Sequence, residues 1–401
     1  MEPVTHFLTG ACIGRAGLNR KTALATLTLT LAAEAADLDI IGRFWGRAIG
    51  FEHHRGFTHS FLGVPIVAAV VVGFVYLVWR LRGRKTKDPE LPARWGVLFL
   101  YACLGGLSHI LLDFTNNYGV RPFWPFSEKW YSWDIVFIVE PVMLVLLILG
   151  LVAPSLFSLI DKELGARSRG PRGRALAILA LIGVFLIWGL RDYEHRRAVN
   201  ALESRTYEGV DPLRVSAYPT WANPFHWDGV IETPAFFALP PVDSLGPEVD
   251  PEGRMEIRYK PEETPITLAA KKSYAGRVFL DWAQYPITET EVLEPPEDGY
   301  IVHFQDLRYV QVPNAFSRND GRRVLGVGVK LDKDLRVVGD VYDAGGKRLI
   351  EPDPGSKVRG AASLRWTAPP TPLRAGEVAL YPSLPLDGSL VSAQNKNSSS
   401  R

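Results

Sequence analysis

From Phe61 to Leu81 the chain carries one charged residue, Arg80, in an otherwise apolar run. That is long enough to cross a bilayer, which takes about 20 residues. Directly before it stands Glu52 to Ser60, EHHRGFTHS, with a carboxylate, three histidines, an arginine, a threonine and a serine. Such groups are costly to desolvate, so a run of them abutting a membrane segment needs partners. Imidazole is the commonest protein metal ligand, and the guanidinium of Arg55 is a planar fork suited to a phosphate or a carboxylate. The stretch therefore reads as one wall of a metal site at the membrane surface. The plainer alternative is a polar loop that caps a transmembrane helix.

Other strings in the first half point the same way. Residues 3–16, PVTHFLTGACIGRA, suit a short helix with His6 and Gly10 one turn apart on one face. It is too short to span and is expected to be re-entrant or interfacial. A second helix is expected from Thr22 to about Ala36, ending in acid at Glu34, Asp37 and Asp39. Negative charge at a helix C-terminus opposes the macrodipole, so a positive partner is expected there, and a metal ion is the economical one. Further spans are expected at Trp95–Leu112, with Ser108, His109 and Asp113 at its far end, at Ile135–Pro154, containing Glu140, and at Ala175–Leu190. Basic residues follow the first long span (Arg82, Arg84, Lys85, Lys87) and precede the last (Lys162, Arg167, Arg169, Arg172, Arg174). The positive-inside rule makes both loops cytoplasmic. Residues 41–60, 113–134 and everything after 190 then share the opposite face with the polar strings.

After Arg191 the composition becomes that of a soluble protein. The mean hydropathy of +0.03 averages two unlike halves. Segments 254–259, 277–282, 300–304 and 324–342 suggest strands, and Asp243 to Thr264, rich in Pro and Glu, a connecting loop. The string YPTWANPFHW, Tyr218 to Trp227, is expected to pack in a core rather than to rim an opening. The expected architecture is an α-helical polytopic membrane domain (1–160) with its polar site at one membrane face. A basic cytoplasmic loop and last transmembrane helix (161–191), an extracytoplasmic mainly-β domain (192–385) and a disordered tail (386–401) follow. A net charge of +2 gives no reason to expect a nucleic-acid partner. Cys12 and Cys103 lie in apolar stretches with neither metal-type spacing nor support for a disulfide. The N-terminus lacks a basic region and His6 interrupts its apolar stretch, so no cleavable signal peptide is expected.

His109 and Asp113 stand at i and i+4, on one face of a helix. Asp37 and Asp39, at i and i+2, suit a turn at a helix end. His54 and His59 flank Gly56, which permits a tight bend. Nitrogen and oxygen donors without thiolates favour Zn²⁺, or else Mn²⁺ or Fe²⁺.

Taken together, His6, the DxD of Asp37 and Asp39, HRGFTHS (His54–Ser60) and SHILLDFTN (Ser108–Asn116) resemble the YdjM-like family over about residues 1–155. These are bacterial inner-membrane proteins described as metal-dependent hydrolases, in turn similar to zinc-dependent phospholipase C and fungal single-strand nucleases. The resemblance implies His6, Asp39, His59, His109 and Asp113 as metal ligands, with Asp37 and His54 next. Glu34 is a looser candidate, because the family string has a proline before the DxD where this chain has Ala36; Glu52 and Glu140 stay open. The implied activity is hydrolysis of a phosphoester at the outer face of the inner membrane, the location suggesting a lipid or lipid-linked substrate. Asp37 or Asp39 would bridge ions or accept a proton from water, Arg55 would grip phosphate oxygens, and Thr58 and Ser60 would orient imidazoles. The rival is a non-catalytic membrane or envelope protein whose polar cluster is structural and which carries the β domain. A transporter has less support, since the polar groups sit at span ends.

Overall fold

Helices α1 (Pro3–Arg15) and α2 (Ala25–Glu34) pair face to face at the start of the chain. The computed structural model in which they are seen describes residues 1–86, 90–163, 173–246, 248–310, 325–344 and 347–354. The expected tail and part of both basic loops lie outside these residues. Glu2 caps α1 by accepting the Thr5 amide, and Pro3 takes the first turn, where its missing N–H costs nothing.

Two glycines set the depth of α2. A Cβ on Gly10 of α1 would lie 2.8 Å from both the Ala33 Cβ and the Leu29 carbonyl oxygen. One on Gly105 of α5 (Trp95–Thr115) would lie 2.9 Å from that same carbonyl oxygen. The absence of side chains there lets both neighbours press on α2, the close backbone approach typical of membrane helices. It also brings the last turn of α2 beside His109 of α5.

The second helix is shorter than expected. After Glu34 the chain tightens into a 3-10 segment, Ala35–Trp45, which carries the DxD, and then forms α3 (Arg47–His53) and a 3-10 turn at Phe57–His59. Among the described residues, three helices are long and apolar enough to cross a membrane: α4 (Gly63–Leu81), α5 and α7 (Gly173–Glu203). Ile66, Val70, Phe74 and Leu77 project unburied from α4, as lipid-facing residues do. The span expected from Ile135 starts instead at Pro141, as α6 (Pro141–Glu163), apolar over Pro141–Phe157. The residues before it are extended, held by bridges between Asn116 and Val136 and between Val120 and Tyr131. Helix α7 runs past the expected end at Leu190 because its last turns have a new partner: Ala198, Val199 and Leu202 share a core with Trp227 and Ile231.

That core belongs to the first of two antiparallel sheets. It comprises β1 (Arg214–Pro219), β2 (His226–Glu232), β3 (Phe236–Leu239), β4 (Pro241–Asp243), β5 (Glu248–Val249) and β6 (Glu256–Tyr259), ordered β5-β4-β2-β3-β6 with β1 also beside β2. The second is a meander of β7 (Pro286–Leu293), β8 (Gly299–Asp306), β9 (Val327–Leu331), β10 (Val337–Ala344) and β11 (Lys347–Pro352). Only the ends of the YPTWANPFHW string pack inward: Tyr218, Pro219 and Trp227 are buried, while Trp221, Asn223 and His226 are exposed. Asp243 to Thr264 contains β5 and β6 as well as loop.

One strand expectation was wrong. Residues 277–282, RVFLDW, lie in α9 (Tyr274–Trp282), which follows α8 (Pro265–Lys271). Ser273 caps α9 by accepting the Gly276 amide, and the buried Ala275, Val278, Phe279 and Trp282 repeat at helical spacing. A six-residue window of β-branched and aromatic residues hid that period.

Helix α9 also joins the two halves. Trp282 Nε1 donates to the Tyr118 carbonyl at 3.0 Å, and Asn117's carbonyl accepts from Arg308 Nη1 at 2.6 Å and from the Tyr309 hydroxyl at 3.0 Å. Phe51, Tyr118 and Trp130 pack into the same core as Phe279 and Trp282.

Candidate metal centre

Four elements converge where α2 and α5 end. The 3-10 segment brings Asp37 and Asp39, the Phe57–His59 turn brings His59, α5 brings His109 and Asp113, and α1 brings His6. Each of Asp37, His59, His109 and Asp113 offers a donor atom, and all four lie within 4.8 Å of one another. His59 Nε2 is 3.3 Å from Asp37 Oδ1 and 3.4 Å from Asp113 Oδ2. His109 Nε2 is 3.5 Å from Asp37 Oδ1, 3.3 Å from Asp113 Oδ2 and 3.0 Å from His59 Nε2. A tetrahedron of ligands with bonds of about 2.1 Å has edges of roughly 3.4 Å, which is the spacing found here.

The hydrogen bonds behind the ring set the chemistry in front of it. His109 Nδ1 lies 2.6 Å from the Ala33 carbonyl and so carries its proton there, leaving the Nε2 lone pair toward the cluster. His59 Nδ1 faces Thr58 Oγ1 at 3.0 Å and Asp39 Oδ2 at 3.2 Å, which fixes the same tautomer. Two imidazole lone pairs aimed at each other repel unless a cation lies between them. Asp113 Oδ2 and both ring nitrogens of His6 are buried with no hydrogen-bond partner, and orphaned donor atoms of this kind are what a metal ion satisfies. The residues present fit a divalent ion.

Not all the expected ligands play the same part. Asp39 is engaged by the protein itself: His54 Nδ1 at 2.8 Å, the Arg55 amide at 3.0 Å and Thr58 Oγ1 at 2.9 Å. That makes it the carboxylate that orients His59, although Asp37, Asp39 and His54 also bring donor atoms within 4.8 Å of one another. Burial alone would raise the Asp39 carboxyl, but the hydrogen bonds of His54 and His59 outweigh it and hold the group well below the usual range. His6 lies one layer out, its ring stacked on His109 at 3.8 Å and its Nε2 3.4 Å from Asp113 Oδ1.

Arg55 is the largest departure from expectation. It is buried, 4 % exposed, with its backbone in the left-handed region at φ 56. Nη2 pairs with Asp113 Oδ1 at 2.9 Å, Nη1 donates to the Gly119 carbonyl at 2.9 Å and to Asn116 Oδ1 at 3.3 Å, and the guanidinium stacks over Tyr118. A fork so engaged with protein acceptors is a wall of the site rather than a free phosphate grip. The Met1 amino group also contacts Asp113 Oδ1, the oxygen that Arg55 holds, and Oδ2 faces the two histidines. Ser60, expected beside an imidazole, accepts instead from the Gly63 amide at the start of α4. Glu52 accepts from the Tyr274 hydroxyl, and Glu140 pairs with Arg191 at 2.6 Å, so neither enters the cluster. Glu34 has one buried oxygen without a partner but belongs to neither donor group.

Sequence reasoning missed the Ala33 and Gly119 carbonyls and Tyr118. Backbone acceptors leave no residue signal. Asn116 lay at the end of the SHILLDFTN string and was legible as a polar group at a helix end.

A cleft of about 410 Å³ adjoins the groups that support this centre, touching Asp39 and Thr58 but none of the four ligand residues. Asp39 and Thr58 line its inner side, Phe57 and Trp124 one wall, and Val278 and Asp281 of α9 another.

No solved structure matches the chain. The uncharacterized protein YfhP of Bacillus subtilis is 24% identical over 317 residues, which cover 77% of this chain and 87% of that protein. Residues 1–196, from the first helix through most of α7, match the YdjM inner membrane protein family, and this helical region with its metal-binding-capable cluster is similar to it.

Proposed function

We propose that this protein is a membrane-bound, metal-dependent hydrolase of a phosphoester, with its centre at the outer face of the inner membrane. The observation that carries the reading is the pair of Nε2 atoms of His59 and His109, 3.0 Å apart and both aprotic, closed into a ring by Asp37 and Asp113. Asp37, His59, His109 and Asp113 would hold the ion, with Zn²⁺ first among candidates and Mn²⁺ or Fe²⁺ behind it. A divalent ion supplies Lewis-acid polarisation of a phosphoryl oxygen and lowers the pKa of water.

The chain's own residues do the rest. Asp39 and the Ala33 carbonyl fix the two imidazoles, so no reorganisation is needed when substrate arrives. Asp37 is the most exposed of the four donors, with 18 % of its side chain accessible, and is the carboxylate placed to accept a proton on the open side. Arg55 balances the charge of Asp113 and holds it in register. The cleft beside Asp39 and Thr58 provides the approach for substrate. The basic loops are cytoplasmic in this reading, and the β-sheet region after α7 lies outside.

A second reading, a structural polar cluster in a non-catalytic envelope protein, draws on one specific contact. Arg55 already neutralises Asp113 without any ion. The two readings separate on detergent-purified protein. A hydrolase binds a divalent metal in stoichiometric amount and cleaves a phosphodiester, and His109→Ala loses both. Protein that stays metal-free after incubation with Zn²⁺, Mn²⁺ and Fe²⁺ would leave the structural reading standing.

A further inference from the structure

The 3-10 segment that carries the DxD is unlike at its two ends, acidic at the start and apolar and exposed beyond it. Asp37 and Asp39 point into the centre, while the residues interleaved with and following them, Leu38, Ile40, Ile41, Phe44 and Trp45, are exposed. Phe44 is 87 % and Trp45 71 % accessible, values at odds with an aqueous surface. This apolar face is not isolated. Phe61 and Leu62 lie exposed at the head of α4, and Ile66, one turn further on, begins that helix's unburied stripe. Phe126, 86 % exposed, projects from the loop whose Phe123 packs on Phe61. Arg43, also exposed, sits among these residues as a cation suited to lipid phosphates.

We propose that the segment Ala35–Trp45 is an interfacial anchor. It is seated in the headgroup–acyl boundary of the leaflet, so that the centre receives a lipid phosphoester laterally from the bilayer. The occupant is lipid, because the segment is in contact with α4, a helix long and apolar enough to cross a membrane, whose head also exposes Phe61, Leu62 and Ile66. A short amphipathic element with aromatic and aliphatic residues on one face and charge on the other is the usual form of such an anchor. The unusual feature is that the same segment carries the ligand Asp37 and the supporting Asp39, so burying Phe44 and Trp45 in lipid fixes the height of both carboxylates relative to the headgroup plane. The choice of a lipid substrate rests on the hydrolase reading; the anchoring does not.

Spin labels test the anchor without any appeal to activity. Phe44→Cys and Trp45→Cys would be labelled in full-length protein in phospholipid nanodiscs, beside Val70→Cys on the exposed flank of α4 and Glu208→Cys on the exposed loop before β1. Labels at 44 and 45 are expected to resemble the one at 70, relaxed by oxygen and shielded from a water-soluble nickel chelate. Accessibility to nickel equal to that at 208 would overturn the anchor. So would labels shielded from both reagents, since protein rather than lipid would then cover the face. For the substrate, Phe44→Ser/Trp45→Ser should cut hydrolysis of a vesicle-borne phospholipid about tenfold and leave a water-soluble phosphodiester unchanged. Equal loss on both would overturn lateral access, whereas wild-type protein that cleaves neither would count against the hydrolase reading and leave the labels to decide the anchor.

Discussion

His59 and His109 present their Nε2 atoms to each other at 3.0 Å, each with its proton committed to Nδ1 by a partner on the far side of the ring. The arrangement is unfavourable for two neutral imidazoles and favourable for two ligands of one cation. His59→Ala and His109→Ala should therefore each lose the bound divalent metal, while Cys12→Ser, remote from the centre, should retain it. Elemental analysis of the purified variants checks this. Wild-type metal content in both histidine variants would remove the centre.

Asp39 would act on a bound metal through His59, whose Nδ1 it faces. Asp39→Asn keeps the size of the side chain but weakens the carboxylate that fixes the tautomer of His59. Metal affinity should fall about 10- to 100-fold, the loss typical of such supporting groups. A competition titration with a chromogenic chelator measures it, and an unchanged affinity would assign the tautomer to Thr58 alone.

Arg55→Lys discriminates a wall residue from a substrate grip. Lysine cannot reproduce the planar fork that meets Asp113, Gly119 and Asn116 together. The variant should lose thermal stability and metal content. If it instead folds and binds metal normally while phosphodiester turnover drops about tenfold, the guanidinium contacts substrate after all.

The direction of the membrane region is open to a reporter. Phosphatase fusions after Ala201 should be active and those in the 82–94 loop inactive, with the opposite pattern for a reporter that works only in the cytoplasm. The reverse result would put the centre on the cytoplasmic side.

A pH dependence is expected from Asp340 on β10, which is buried with neither oxygen hydrogen-bonded. Burial, then the neighbouring Asp353 and Glu351, push its carboxyl up from 3.8 to about 7. The folded state thus holds this proton more tightly than the unfolded chain. The associated stability is complete below pH 3.8, falls as pH rises toward about 7 and is absent above, a loss of at most roughly 4 kcal/mol. Asp340→Asn should raise Tm at pH 8.5 and leave it unchanged near pH 4. Equal shifts at both values would show that ionisation is not the cause.

The strings that make up the centre were legible because charged and imidazole groups at the ends of apolar runs have few other uses. His59, His109 and Asp113 stood out by type, by their place at span ends and by the family resemblance together, not by spacing alone. The depth of α2 was not legible, since it depends on what Gly10 and Gly105 lack. The role of Arg55 was missed for a related reason: its partners are the carbonyl of Gly119, the ring of Tyr118 and a carboxylate on another helix, none of them near it in sequence. In the second half, strands 300–304 and 324–342 followed from alternation, while RVFLDW needed Ser273 and Ala275 in the window before its helical period emerged.

The hydrogen bonds from Trp282, Arg308 and Tyr309 to the carbonyls of Tyr118 and Asn117 fall on the loop that supplies Arg55 with Gly119 and the Tyr118 ring. The donors lie beyond residue 196, where the family match stops, and the acceptors lie within it. The second half of this chain thus serves as a built-in subunit of the first: cutting between them would expose two backbone acceptors and an aromatic seat at the back of the centre, and any family member without such a partner must close that seam with other residues.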